Sequence, residues 1–263
     1  MKRSDLICES GIIGNEVYSA DVHSEELYGT RFTDIRISDK ASEEYGLKKG
    51  RYVTVFTEKG DVRKCMTELL KGFIPGGNVL VTGLGNRAIC SDSLGALTLA
   101  HIPATAHLSS HEDFRSLGLR AVSVLEAGVT GRTGIESSRR TICTARCAGA
   151  ESIIAIDSLA CSDISRLCTT IQITDTGISP GSGVGNDREE LSNDTAGMPV
   201  VAVGVPTVID LDNISDAEDA GGLMVTPRNI DAMIGKFACI IGSAVASALN
   251  PGLSEAEIRS LLV

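Results

Sequence analysis

The sequence has no tryptophan, only 4 tyrosines and 5 phenylalanines, and 4 histidines in 263 residues. So few aromatics argue against a base-stacking surface and leave the core to aliphatic side chains. Basic residues are outnumbered, 24 Lys+Arg against 34 Asp+Glu, for a formal charge of −10 and a pI near 4.9. That balance excludes the basic footprint of a nucleic-acid binder. Long apolar runs are missing too. The uncharged stretches 195–209 and 237–249 fall short of the ~18–20 residues of a membrane-spanning segment, and Pro199 and Pro206 interrupt the first. Met1-Lys2-Arg3-Ser4-Asp5 leads into no apolar segment, so no signal peptide is expected. Disorder is excluded at 43% hydrophobic and 22% charged residues.

Paired metal-ligand spacing is also lacking. The 8 cysteines form no CxxC, and no pair of histidines completes a zinc pattern. In a chain of this length without an export signal they read as reduced, cytosolic and mostly buried small hydrophobes. Cys143 and Cys147 would share a helix face. His101, His107 and His111 cluster around Pro103 with spacings that suit structural hydrogen bonding better than ligation. No Gly-x-Ser-x-Gly elbow precedes a helix; Gly181-Ser182-Gly183 is the nearest fragment, so a serine or cysteine nucleophile is disfavoured.

What is abundant is glycine, 28 residues or about 11%, against roughly 7% in average composition. Short β-rich runs alternate with helical patterns. Strands are expected over 33–37, 52–57, 78–82, 120–125, 152–156, 170–174 and 199–205, and helices over 92–101, 137–148 and 227–249. Thr226 is expected as N-cap and Pro227 as the first residue of the last of these. Ser254 and Glu257 form a capping box opening a final short helix. The pattern implies a three-layer α/β/α domain with a largely parallel sheet and a smaller N-terminal accessory region over 10–77, the core spanning 78–250.

Function in such sheets sits beyond the carboxyl ends of strands. Asp157 closes Ile153-Ile154-Ala155-Ile156. Asp92 follows strand 78–82 through Gly83-Leu84-Gly85-Asn86, near the start of the next helix. Two carboxyls brought to one rim cannot both stay ionised; they share a proton. The ionised member can then activate water while the protonated one polarises a carbonyl and protonates a leaving amine. The residues alone leave a second reading open, in which Asp92 caps a helix and Asp157 caps a loop. Gly83-x-Gly85 lacks the third glycine of a dinucleotide fingerprint, since position 88 is Ala. The glycine-rich stretches 128–134 and 180–186 can present backbone N–H groups to a substrate or can simply be tight turns.

The words Gly83-Leu84-Gly85-Asn86…Asp92-x-Leu94-Gly95, Gly128-Val129-x-Gly131-x-Thr133-Gly134-Ile135-Glu136, Ile154-Ala155-Ile156-Asp157 and Thr170–Ile178 with Pro180-Gly181-Ser182-Gly183-Val184-Gly185-Asn186 resemble the germination protease family in order and content. Gly204-Val205-Pro206-Thr207-Val208 and Met224-Val225-Thr226-Pro227 extend the resemblance. It implies an aspartic-type endopeptidase of the spore core that degrades small acid-soluble spore proteins during germination, on a fold related to hydrogenase-maturation peptidases. It carries the two acids over onto Asp92 and Asp157, without metal or cofactor. It marks Gly83, Gly85, Asn86, Gly131, Thr133, Gly134, Glu136, Gly181, Ser182, Gly183, Gly185 and Asn186 as site loops.

The resemblance further implies a cytoplasmic zymogen and a homo-oligomer, with a tetramer as one candidate. No membrane and no direct nucleic-acid partner is implied. Asp5-Leu6-Ile7-Cys8-Glu9 looks like the family's cleavage pattern, with a five-residue propeptide cut between Asp5 and Leu6. Relative to the family plan the stretch after Asp210 is abbreviated, and the Trp and Pro that often flank the first acid are absent, with Arg87 and Ser91 nearby instead. Two other readings remain: a nickel-sensing peptidase of the hydrogenase-maturation type, and an idle binding protein of the same fold.

Overall fold

The structure is a computed structural model that describes residues 5, 6, 9, 20–45, 47–181, 188–214 and 222–262. Among them nine strands form one sheet: β1 (Ala20–Leu27), β2 (Thr30–Ile37), β3 (Gly50–Phe56), β4 (Val79–Leu84), β5 (Val122–Gly128), β6 (Ser152–Cys161), β7 (Thr170–Thr174), β8 (Val200–Asp210) and β9 (Met224–Val225). The α-helices are α1 (Asp39–Tyr45), α2 (Val62–Lys71), α3 (Leu94–Thr98), α4 (Glu112–Ser116), α5 (Thr130–Thr133), α6 (Ser137–Cys147), α7 (Asn193–Ala196), α8 (Ile230–Leu249) and α9 (Glu255–Ser260).

The strand order is β1-β2-β3-β7-β8-β6-β4-β5, with β9 on the end of β8. The half that carries the glycine-rich words is parallel: β4 pairs β5 and β6, and β6 pairs β8, all in parallel. The accessory strands do not form a separate layer. They continue the same sheet antiparallel, β3 pairing β7 and β7 pairing β8.

Buried strands covered on both faces read as unbroken apolar runs, which is why 152–156 and 199–205 stand out in the sequence. Their alternate side chains part into two cores. Val79, Val81, Ile154, Ile156, Val201 and Val203 meet α2 and α8 on one face. Leu80, Leu84, Ile153, Ala155 and Val200 meet Ile142 and Ala145 of α6 on the other. The result is helix, sheet, helix. α8 is long and apolar enough by length and composition to cross a membrane, yet Ile234, Phe237, Ile241 and Val245 are spent on the core between α2 and α3.

Several sequence expectations shift. The helix expected over 92–101 is three pieces: a 3-10 turn at Cys90–Asp92, α3, and a 3-10 turn at Leu99–His101. Ile102 precedes Pro103 and is extended, which closes the element. β6 runs on past Asp157 to Cys161, because β8 keeps pairing to Ile209 after β4 has ended its pairing at Ile156. Asp157 thus stands where one neighbour strand is lost, not at a strand end. The glycine-rich turn 128–134 contains the helical turn α5. α8 starts at Ile230 with Asn229 at its cap; the Thr226 hydroxyl instead donates to Thr207 O at 2.8 Å. The capping box of Ser254 and Glu257 forms as expected. Cys65, Cys161 and Cys168 are buried, but Cys90, Cys143, Cys147 and Cys239 are exposed. Cys143 and Cys147 share the face of α6 that its apolar residues Ile142 and Ala145 leave outward.

α3 lies on β4 and β6 with almost no side chain between them. A Cβ on Gly83 would strike Gly95 O, and a Cβ on Gly95 would lie 2.5 Å from Leu84 O and strike Ile156 O. Neither glycine has a positive φ, so closeness and not backbone conformation demands it. Gly95→Ala should lower stability by about 1–3 kcal/mol through overpacking, or several degrees in a thermal unfolding curve. Gly235→Ala in α8, where a Cβ meets nothing within 4 Å, should be neutral or mildly stabilising on the same measurement.

Candidate active site

The strand order reverses at β4, with β5 on one side and β6 on the other. Where β4 ends and β6 runs on past it opens a cavity of about 470 Å³, lined among others by Asp92, Asp157, Asn86, Arg188 and Asp5. This is the crevice position expected of an open parallel sheet.

Asp92 is placed by the turn that follows β4. Gly85 adopts φ +87°, and a Cβ there would lie 2.7 Å from Asp92 Oδ1. The backbone can therefore fold back until Asn86 N donates to Asp92 Oδ2 at 2.7 Å. A second tether holds the preceding residue: the Thr207 hydroxyl donates to Ser91 O at 2.7 Å. The carboxylate caps a turn and not the following helix, since α3 has no side-chain cap bond.

Asp157 is 4% exposed. Its Oδ1 accepts from Ser158 N at 2.9 Å. Desolvation pushes its carboxyl well above the ordinary carboxylate range, and the Asp92 charge pushes the same way. Ser158 N–H and Arg188 oppose the shift, while Asp5 adds to it. Asp92 is also raised by desolvation, but Asn86 N–H and Arg188 hold it back. The two acids face one cavity with unequal appetite for a proton, Asp157 holding it more tightly.

Of the residues expected at the site, Gly85, Asn86, Gly131, Gly181 and Asp5 line this cavity with the two acids. Gly83 lies beneath it, at the contact with α3. Thr133 lines a neighbouring hollow with Arg87, Glu126 and Arg140, and its hydroxyl donates to Ile135 O at 2.9 Å. Gly134 ends α5 in the left-handed conformation, and Glu136 precedes α6 without capping it through its side chain. The structure does not bring Thr133, Gly134 and Glu136 to the cavity, because α5 turns that loop outward. Leu6 is buried against Leu159, Cys161 and Ile209. Ser182, Gly183, Gly185 and Asn186 lie outside the described residues.

Sequence reasoning missed Arg188, whose charge acts on both acids, and Thr207, which holds the turn before Asp92. A lone cation just beyond a glycine-rich stretch was the available signal for the first. His101 is half-buried with its pKa lowered by burial; its Cβ lies against Gly242 of α8, where it packs helices and takes no part in the cavity. Among the described residues no group of three or more His, Cys, Asp or Glu stands together as metal ligands would.

The sequence model of a family described as germination protease matches residues 13–220. A germination protease of Caldanaerobacter subterraneus subsp. tengcongensis is 31% identical, over 99% of this chain and 98% of its own. Those of Priestia megaterium and Bacillus cereus are 38% and 39% identical over 76% and 74% of this chain. The matched part spans only 59% and 57% of those two longer proteins. Among solved structures, a NiFe hydrogenase maturation protease, HycI from Thermococcus kodakarensis, aligns over 69% of this chain and 98% of its own, with 16% identity and a TM-score of 0.43.

The raised Asp157 has a consequence for stability. A carboxyl with a folded-state pKa above its unfolded value binds its proton more tightly when folded, so it favours folding at low pH. That contribution is lost as pH rises from 3.8 through the folded value. Asp157→Asn keeps an oxygen for Ser158 N–H and removes the ionisation. The variant should therefore be more stable than the parent at neutral pH, by a few degrees at about 2–4 °C per kcal/mol. The gap in melting temperature should close as pH falls toward 4. A gap that stays constant with pH would remove the buried ionisation from this account.

Proposed function

The chain belongs to the germination protease family, a family of peptidases, and from that premise we propose that Asp92 and Asp157 hydrolyse peptide bonds of small acid-soluble spore proteins as a carboxyl dyad. The observation that carries this reading is the placement of both acids in one cavity with their proton affinities driven apart. Asp157, desolvated and beside a negative charge, holds the shared proton. Asp92, held down by Asn86 N–H and Arg188, is the ionised partner.

Asp92 takes a proton from water as the oxygen attacks the scissile carbonyl carbon. Asp157 hydrogen-bonds the carbonyl oxygen and then gives its proton to the leaving nitrogen. Water's hydroxyl ends on the new carboxyl group, the amine leaves with the proton Asp157 held, and the water proton on Asp92 passes across the dyad to restore Asp157. Arg188 supplies positive charge where the oxyanion develops. The cycle needs no nucleophilic side chain.

The same reading makes the chain a zymogen that cuts itself between Asp5 and Leu6, and Asp5 already lines the cavity of the acid pair. It places the protein in the cytoplasm of the spore core, as a homo-oligomer, with a tetramer as the candidate assembly. A net charge of −10 suits an enzyme whose substrates sit on DNA, because it does not compete for the phosphates.

Asp92→Asn and Asp157→Asn should each lower the rate of spore-protein cleavage by about 10²–10⁴-fold, and should leave the N-terminus uncut when the purified chain is weighed by mass spectrometry. Full cleavage by either variant would remove that acid from the chemistry. Arg188→Gln should move the acid limb of the kcat/KM profile to higher pH, since loss of the cation raises the affinity of Asp92 for a proton. An unmoved limb would show that Arg188 acts elsewhere.

A further inference from the structure

A chain with a net charge of −10 gathers three arginines around one hollow. The hollow, about 270 Å³, lies beside the cavity of the acid pair, and Gly85 and Asn86 line both. Arg87 reaches it from the turn after β4, Arg132 from α5 and Arg140 from α6. Among the described residues Glu126 of β5 is the one acid in its wall.

The charges in this wall do not balance. Arg87 Nη1 donates to Glu126 Oε2 at 3.0 Å, which matches one cation with one anion. Arg140 Nη1 donates to Ala127 O, a neutral acceptor. That bond fixes the guanidinium over the end of β5, where a Cβ on Gly128 would lie 3.8 Å from Arg140 Nη1. Neither Arg132 nor Arg140 makes an ion pair among the described residues. Two guanidinium charges are therefore left over at one place, and like charges repel unless an anion offsets them.

The complement of two spare guanidiniums is an oxyanion of two charges. The planar fork of arginine pairs with phosphate oxygens two at a time. A phosphate monoester carries about −1.5 to −2 charge near pH 7, whereas a carboxylate carries one. A nucleic-acid duplex would also meet the field of the remaining acidic surface, which disfavours it.

We propose that Arg87, Arg132 and Arg140 form a binding site for a small phosphate-bearing molecule, separate from the cavity of the acid pair. The bound group takes the free forks of Arg132 and Arg140 and shares Arg87 with Glu126. It would rest against the turn whose Asn86 amide holds Asp92, without entering the cavity where the acids meet. The inference goes beyond the peptidase reading and does not need it, because the site is a claim about binding.

The test is calorimetric titration of the full chain with inorganic phosphate and, in a second arm, with glycerol phosphate, near neutral pH in chloride at constant ionic strength. Saturable binding once per chain is expected in at least one arm. Tighter binding of the ester assigns the site to a phosphorylated small molecule, and equal or tighter binding of the free ion assigns it to phosphate itself; both uphold it. Arg132→Gln removes an exposed side chain and should weaken binding about tenfold. Glu126→Gln frees Arg87 and should tighten binding by about threefold or more. Arg36→Gln takes the same charge from an exposed position on β2 and should leave the affinity within about twofold. Equal losses from Arg132→Gln and Arg36→Gln would reduce the effect to net charge and overturn the site. So would heats no larger than those of added chloride, or displacement of phosphate by an equimolar DNA duplex, which would hand the arginines to a polymer backbone.

Discussion

The site depends on a contact between backbones. Gly95 at the start of α3 rests on Gly83 and Leu84 of β4 and on Ile156 of β6, at distances that leave no room for a Cβ. Asp92 lies just before that contact on one chain segment and Asp157 just after it on another. Any side chain at Gly83 or Gly95 pushes α3 from the sheet and moves Asp92 with it, while Asp157, fixed in a paired strand, stays. Protein interiors resist such shifts because they are packed to crystal-like density. Gly242 in α8 repeats the device on the outer side, where a Cβ would lie 2.5 Å from His101 Cβ and 2.7 Å from Thr98 O. Sheet, α3 and α8 are thus stacked with glycines at both interfaces.

That closeness is also what makes the two acids unequal. Burial alone raises both. The difference comes from what each receives in return. Asp92 gains the Asn86 amide, which exists because Gly85 can take a left-handed conformation. Asp157 gains the Ser158 amide but sits deeper and feels both Asp92 and Asp5. A buried charge without full compensation is expensive, which is why burial raises the proton affinity of Asp157 so strongly. The raised Asp157 gives up stability at neutral pH.

Most of the parallel half was legible from the sequence, because strands covered on both faces spell themselves as apolar runs and the turns between them as glycine. The acid pair was legible for the same reason: each acid follows such a run. Other features were not. Asp157 reads as a terminator because an ionisable residue breaks the run, yet β8 carries the strand onward by pairing with residues that no local pattern predicts. Thr226 has the right neighbour to cap a helix, but its hydroxyl is taken by Thr207 O, a tertiary bond that outbids the local one. The antiparallel extension through β3 and β7 depends on pairing between distant segments, and sequence alternation cannot choose the partner. Arg188 escaped notice because its role is a field at the acids and not a motif.

The continuation of β6 beyond Asp157 gives the strand a second use. A strand advances about 3.3 Å per residue, so groups set along it stand at fixed intervals from the Asp157 carboxyl. Asp157, Ala160, Cys161 and the amides of Ser162 and Asp163 belong to one rigid element or its immediate end, hydrogen-bonded to β8 nearly throughout. Asp5, Leu6 and Glu9 lie along it in this way, tied to Ala160, Leu159 and Ser162 in turn. Loops would make a poorer ruler, because their ends wander. A shift of β6 relative to β8 by one residue would displace Asp157 and the segment tied to Ala160 together.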